Sequence, residues 1–136
     1  MSDESARRVI HDLHRAINDH DIDRFVALFD DDYDSYQPLR PSEAFQGSAQ
    51  VRKNWSTIFK SMPDFHGELL REAVEDGTAW TEWEMTATKA DGSRLVLRGV
   101  IIMGISSGKI NWGRLYLEPI VEYEGDIDQG VREMIE

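Results

Sequence analysis

Val9, Ile10, Leu13, Ala16 and Ile17 fall on one stripe at helical spacing, while Arg8, Asp12, Arg15 and Asn18 face the other way. That period predicts an amphipathic first helix. Asp21 stands where an N-cap belongs, ahead of Ile22, Phe25, Val26, Leu28 and Phe29, so a second short helix should pack on the first and end at Asp30–Asp32. A strand is expected over Tyr33–Gln37. Pro38 and Pro41 then interrupt regular pairing, and a third helix is expected from about Ser48 to Ser61, with Val51, Trp55, Ile58, Phe59 and Met62 inward and Pro63 closing it.

Beyond His66 the period changes to that of strands: Glu68–Glu75, Ala79–Lys89, Arg94–Ile105 and Lys109–Ile120. The segments EDGT, ADGS and SSGK separate them, each with a glycine near the tip, as tight hairpins require. Four successive strands make a meander, and helices that precede such a sheet must cover one of its faces, which is an α+β arrangement. After Pro119, Ile127, Val131, Met134 and Ile135 recur at roughly helical spacing in an acidic tail, with Asp126 as the cap of a short helix.

At 136 residues and 40% hydrophobic content the chain suffices for one core, so a single domain is expected over 1–136, with its body at about 6–119 and the tail at 120–136. The net charge of −11 repels phosphate backbones and anionic lipid heads, so neither nucleic acid nor a membrane is an expected partner. With no cysteine there is no disulfide framework or thiolate metal site, and the opening MSDESARR has no signal-peptide character. The expected compartment is the cytoplasm. No metal and no cofactor are called for.

The stretches AINDHDIDRFVALFDDDY, QGSAQVRKNW, MPDF, LRGV leading to SSGKI, and GRLYLEP follow one another in the order and spacing of the SnoaL-like polyketide cyclases. The chain resembles that family, of the nuclear-transport-factor-two-like superfamily, over roughly residues 6–119. The resemblance implies a cone: a strongly curved, mainly antiparallel sheet wrapped around three N-terminal helices, with a ligand cavity inside and a dimer through the outer sheet face. It implies no single chemistry, since the fold hosts isomerases, cyclases, epoxide hydrolases and proteins without catalysis.

Aligned on that resemblance, the ketosteroid isomerase positions for tyrosine, carboxylate base and protonated aspartate hold Leu13, Gln37 and Val100. An amide cannot abstract a carbon-bound proton, and a valine cannot donate to an oxyanion. The Arg and two Asp of limonene-type epoxide hydrolases correspond to Trp83, Met85 and Leu115. Both machineries are therefore replaced, and the polyketide cyclase pattern is weakened where its histidine-bearing strand pair shortens to ATKADGSRL.

On the same alignment, and because strand positions alternate, the resemblance implies that Ser35, Gln37, Trp83, Met85, Arg98, Val100, Ile102, Gly113 and Leu115 face the cavity, joined by Leu13, Ile17, Trp55 and Phe59 from the helices. Such a lining suits a small apolar or carbonyl-bearing molecule. Arg98 reads either as an anion anchor or as half of a salt bridge to Glu82 or Glu84. His66, Glu82 and Tyr33 are the candidate proton carriers, and Glu82 or Glu84 enters the cavity only if a bulge near Thr81 turns one of them in. Gln37 and Ser35 could orient a carbonyl or merely serve the turn at Pro38, and Trp55 and Trp83 could stack on a ligand or be core. His11 with His14, and Asp30–Asp32, are read as solvated rather than metal-binding, and the sequon-like Asn54–Ser56 as without meaning. On the outer face Trp80, Leu95, Leu97, Ile101, Met103, Trp112 and Tyr116 predict an apolar surface closed by a second copy, with Glu82, Glu84, Arg114 and Glu118 around it. Two classes stay open: a cofactor-free cyclase, isomerase or lyase, and a binding or scaffold dimer.

Overall fold

In the computed structural model, which describes residues 2–136, the first stripe becomes helix α1 (Asp3–Asp19), with the Ser2 side chain accepting from the Ser5 amide at its start and His20 closing it in the left-handed region at φ 53°. Ala6, Val9, Ile10, Leu13, Ala16 and Ile17 are buried. The polar flank of α1 is also used. Asn18 donates to the Gly67 carbonyl at 3.0 Å and accepts from the Gly67 amide at 2.8 Å, and the His14 Nε2–H donates to the same carbonyl at 2.8 Å. With His11 on Glu72 at 2.8 Å, both histidines tie α1 to the sheet, where the sequence pattern suggested solvation.

Helix α2 (Ile22–Ala27) begins at the expected cap, Asp21, whose carboxylate accepts from the Arg24 amide at 3.2 Å. It ends two residues before Phe29, which instead opens strand β1 (Phe29–Tyr36). The cause is long-range: the Ile110 amide donates to the Leu28 carbonyl at 2.8 Å, so parallel pairing with the last strand captures the chain before another helical turn can form. Asp30–Asp32 lie within that strand and do not terminate a helix. A short 3₁₀ turn (Pro41–Glu43) and strand β2 (Phe45–Gln46) lead into α3 (Ser48–Ser61), on the predicted bounds.

Strands β3 (His66–Glu75), β4 (Thr78–Thr88), β5 (Arg94–Ser106) and β6 (Lys109–Pro119) form the meander. The six strands make one curved, open sheet in the order β2-β1-β6-β5-β4-β3, parallel only between β1 and β6. Irregularities between Phe29 and Asp34, between Leu69 and Arg71 and between Gly104 and Ile105 break the pairing at three points, where a sheet bends most easily. The helices lie in the concavity. The tail carries α4 (Ile127–Ile135), capped by Asp126, with no buried residue. No helix among the described residues is long and apolar enough to cross a membrane.

One expectation about side-chain direction is overturned. Thr88 pairs with Arg94 across the β4–β5 turn, so Trp83 lies opposite Gly99, Thr81 opposite Ile101 and Ala79 opposite Met103. Directly opposed residues share a face, and a one-residue slip transfers every side chain to the other one. Ile101 and Met103 therefore face the helices, and Leu95 and Leu97 pack on the same core, while Arg98, Val100 and Ile102 lie on the outer face. The β4 ladder runs unbroken through Thr81; the irregularity sits in β3, so Glu82 stays outside.

Candidate functional site

The concavity is not filled. A cavity of about 210 Å³ lies between α1, α2, α3 and the sheet. Leu13 and Ile17 come from α1, Phe25 from α2, Phe29, Tyr33 and Ser35 from β1, and Val51, Asn54, Trp55 and Ile58 from α3. Trp83 and Met85, Ile101 and Met103, and Leu115 supply the sheet side, while Gln37 and Phe45 close one end. Aromatic packing stiffens both walls: Phe25 and Trp55 lie 4.7 Å apart between α2 and α3, and Phe29 and Tyr33 4.8 Å apart along β1, between ring centroids.

Trp83 is fully buried, with its indole N–H donating to Thr81 Oγ1 at 2.7 Å and the Thr81 hydroxyl donating to the Ile101 carbonyl at 2.7 Å. The polar groups gather at the other end. Gln37 Nε2 donates to Ser35 Oγ at 2.8 Å, and Gln37 Oε1 is the one buried side-chain polar atom without a partner among the described residues. Gly113, opposite Ser35, makes room for the Tyr33 hydroxyl; a Cβ there would collide with it. Burial raises the Tyr33 phenol above its ordinary value, a hydrogen bond with Ser35 acts the other way, and Asp34 adds to the rise. Tyr33 is the sole titratable residue in the lining, and its phenol stays neutral near pH 7.

Leu13, Ile17, Ser35, Gln37, Trp55, Trp83, Met85 and Leu115 are thus assembled around one cavity, together with Tyr33. Phe59 is buried behind it, stacked on His20 at 4.5 Å, and does not line it. Val100 and Ile102 point away, for the reason of register given above. Arg98 does not enter the cavity: it lies exposed on the outer face, where its Nε donates to Glu84 at 2.7 Å. Glu82 pairs loosely with Arg71 at 3.5 Å, and His66 pairs with the adjacent Glu68 at 2.6 Å, both outside the cavity. No metal-holding cluster exists among the described residues.

Sequence reasoning missed Asn54, set aside as a chance sequon, together with Phe45, Ile101 and Met103, and it read Phe25, Phe29, Val51 and Ile58 only as helix-packing positions. The signal for Asn54 was present: it shares the inward stripe of α3 with Val51, Trp55 and Ile58, an odd place for an amide unless it faces a cavity. A second cavity of about 310 Å³ adjoins the first, lined by Gln37, Glu43, Phe45, Gln50 and Asn54, so Gln37, Phe45 and Asn54 form the partition between an apolar chamber and a polar one.

The profile of the SnoaL-like domain family matches residues 10–112, the span that holds four of the five ordered motifs, with GRLYLEP lying beyond it. No curated protein matches the sequence. Among solved structures, an LEH-like epoxide hydrolase of M. tuberculosis superimposes with a TM-score of 0.73 at 16% identity, over 85% of this chain and 84% of its own. SalBIII, an epoxide hydrolase/cyclase-like enzyme of pyran ring formation in the polyether salinomycin, gives 0.75 at 15% identity, over 85% and 92%. AclR from Streptomyces galilaeus gives 0.73 at 18%, over 86% and 81%. At these identities the likeness establishes the nuclear-transport-factor-two-like fold.

Proposed function

The chain belongs to the SnoaL-like domain family, and we propose that it serves as a pocket protein for a small, neutral, largely apolar molecule held inside the cone. The observation that carries this reading is the lining: among its residues there is no carboxylate, imidazole, ammonium or guanidinium. A buried charge on the ligand would have no counter-charge, and desolvating it would cost several kcal/mol, order of magnitude. The size is modest as well, between the roughly 150 Å³ that accommodates benzene and the range of about 300–1,000 Å³ usual for drug-sized ligands. Indane, a neutral bicyclic hydrocarbon, should shift the fluorescence of Trp55 and Trp83 and raise the melting temperature, whereas indane-1-carboxylate should do neither at the same concentration. Equal responses to both, or none to indane at millimolar concentration, would remove this reading.

Catalysis is the second reading, a cofactor-free cyclase, isomerase or lyase in which Tyr33 protonates a substrate oxygen. A neutral, buried phenol in the lining favours it. It ranks behind binding because no group positioned to accept a proton near pH 7 lines the cavity with it.

We further propose that two copies associate through the outer sheet face. Correcting the strand parity replaces Ile101 and Met103 there by Val100 and Ile102, beside Trp112, Tyr116 and Trp80, which is 52% exposed. Isologous packing would bury this surface. Light scattering at micromolar concentration should give twice the monomer mass, and the double variant Trp80→Glu, Ile102→Arg should halve it while keeping the circular dichroism. A parent protein scattering as a monomer rules the association out.

A further inference from the structure

We infer that the ligand is an alcohol: an apolar body lodged among Trp83, Met85 and Leu115, with a hydroxyl at the chamber boundary donating to Gln37 Oε1. This rests on the cavity being a ligand site, and it adds which polar group the ligand carries and where. Three observations combine.

First, Gln37 Oε1 is buried and unpartnered while its own Nε2 is engaged with Ser35 Oγ at 2.8 Å. The reverse amide orientation would leave an NH₂ group with two unused donors in the same place, and orphaned N–H groups are rarer than under-satisfied carbonyl oxygens. The spare group is therefore an acceptor, and it needs a donor. A hydroxyl supplies one; a ketone, an ether or a hydrocarbon does not. An ammonium would also donate, but it would bring an uncompensated charge into the apolar chamber.

Second, Gln37, which carries the spare oxygen, belongs with Phe45 and Asn54 to the partition between the two chambers. A ligand with an apolar body and a hydroxyl reproduces that division of surfaces. In the structure the oxygen is covered, and the terminal torsion of a glutamine is broad, so a small turn of the amide presents Oε1 to an arriving hydroxyl without a rotamer change.

Third, acids are disfavoured on the polar side. Glu43 lines the outer chamber, and the chain carries a net charge of −11. Asn54 Oδ1 already accepts from Gln50 Nε2 at 2.7 Å, so of the two amide oxygens at the partition only Gln37 Oε1 has no donor.

Indane, 1-indanol, 1-indanone and indane-1-carboxylate share one skeleton and differ at one polar group. Titrated against the full chain and followed by calorimetry and tryptophan fluorescence, 1-indanol should bind about tenfold or more tighter than indane and 1-indanone, the penalty expected when a buried polar group is left unpaired. In Gln37→Leu the ratio of 1-indanol to indane affinity should fall to about one, whatever happens to indane affinity itself; a ratio unchanged from the parent counts against the hydrogen bond. Indanone binding as tightly as indanol, or tighter, overturns the alcohol assignment while indane binding keeps the cavity as a ligand site. No binding by any of the four removes both.

Discussion

Replacing Gly99 by alanine is expected to destabilise the protein by more than about 3 kcal/mol and to lower its melting temperature by roughly 10 °C or more. Gly99 sits in the middle of β5 at φ 153°, opposite Trp83 on one side and Leu117 on the other. A Cβ there would fall on the carbonyl of Tyr116 and come within 3.0 Å of the Leu117 Cα, so the obstruction is backbone that no rotamer change can move aside. Two costs add: a side chain in a region that L-residues rarely adopt, and a forced separation of β5 from β6 at the centre of the sheet. Gly92→Ala is the control. Its φ is 86°, but a Cβ meets nothing within 4 Å, so only the conformational cost of about 1 kcal/mol should appear. Thermal or urea unfolding of the two variants beside the parent measures the difference. A Gly99→Ala protein melting within about 2 °C of the parent, far below the expectation, would falsify the account of this strand.

Trp83→Ala should cost about 3–5 kcal/mol, the range for deleting a buried large aromatic. The indole is fully buried, packs edge-on against His14 with ring centroids 5.6 Å apart, and donates to Thr81 Oγ1. It also lines the cavity, so the space it vacates joins the chamber rather than closing up. The loss should therefore sit toward the upper part of the range, and ligands larger than indane should gain affinity. Trp83→Phe separates the contributions. Much of the ring contact survives, only the N–H is lost, and Thr81 keeps its bond to the Ile101 carbonyl, so a cost of about 1–2 kcal/mol is expected. Urea midpoints at constant slope give both values. Similar costs for the two variants would show that the hydrogen bond, and not the volume, holds this site together.

Local signals were legible wherever the cause is local. Asp21 and Asp126 cap the helices that follow them, accepting from the amides three residues on, because a short acidic side chain can reach an unsatisfied N–H there whatever the rest of the fold does. Pro63 follows the last residues of α3 for an equally local reason. The end of α2 was not legible in this way. Phe29 continues the apolar spacing of the helix, but the Leu28 carbonyl is claimed by Ile110, eighty-two residues away, and nothing near Phe29 announces that pairing.

Strand parity is the sharper case. The β4–β5 turn was recognised from ADGS, yet its chemistry is compatible with more than one loop length, and the pair that closes it, Thr88 with Arg94, sets the face of every residue in β5. A shift of one residue moved Arg98, Val100 and Ile102 out and brought Ile101 and Met103 in, which changed a cavity with one guanidinium into one with no formal charge. The charge of the lining turned on that single register.

By its periodicity, caps and turn glycines, the sequence by itself determined the helices-then-meander order, the helical stripes that enter the core, and the family that its ordered motifs identify. These follow from interactions a few residues apart, or from residue types that only one backbone conformation tolerates. Only the tertiary structure decided that β1 runs parallel beside β6, which residues of β5 face inward, and that Gln37, Ser35, Tyr33 and Asn54 converge at one end of an otherwise apolar chamber. Those are consequences of pairing between distant segments, whose register is chosen by the packing of the whole core.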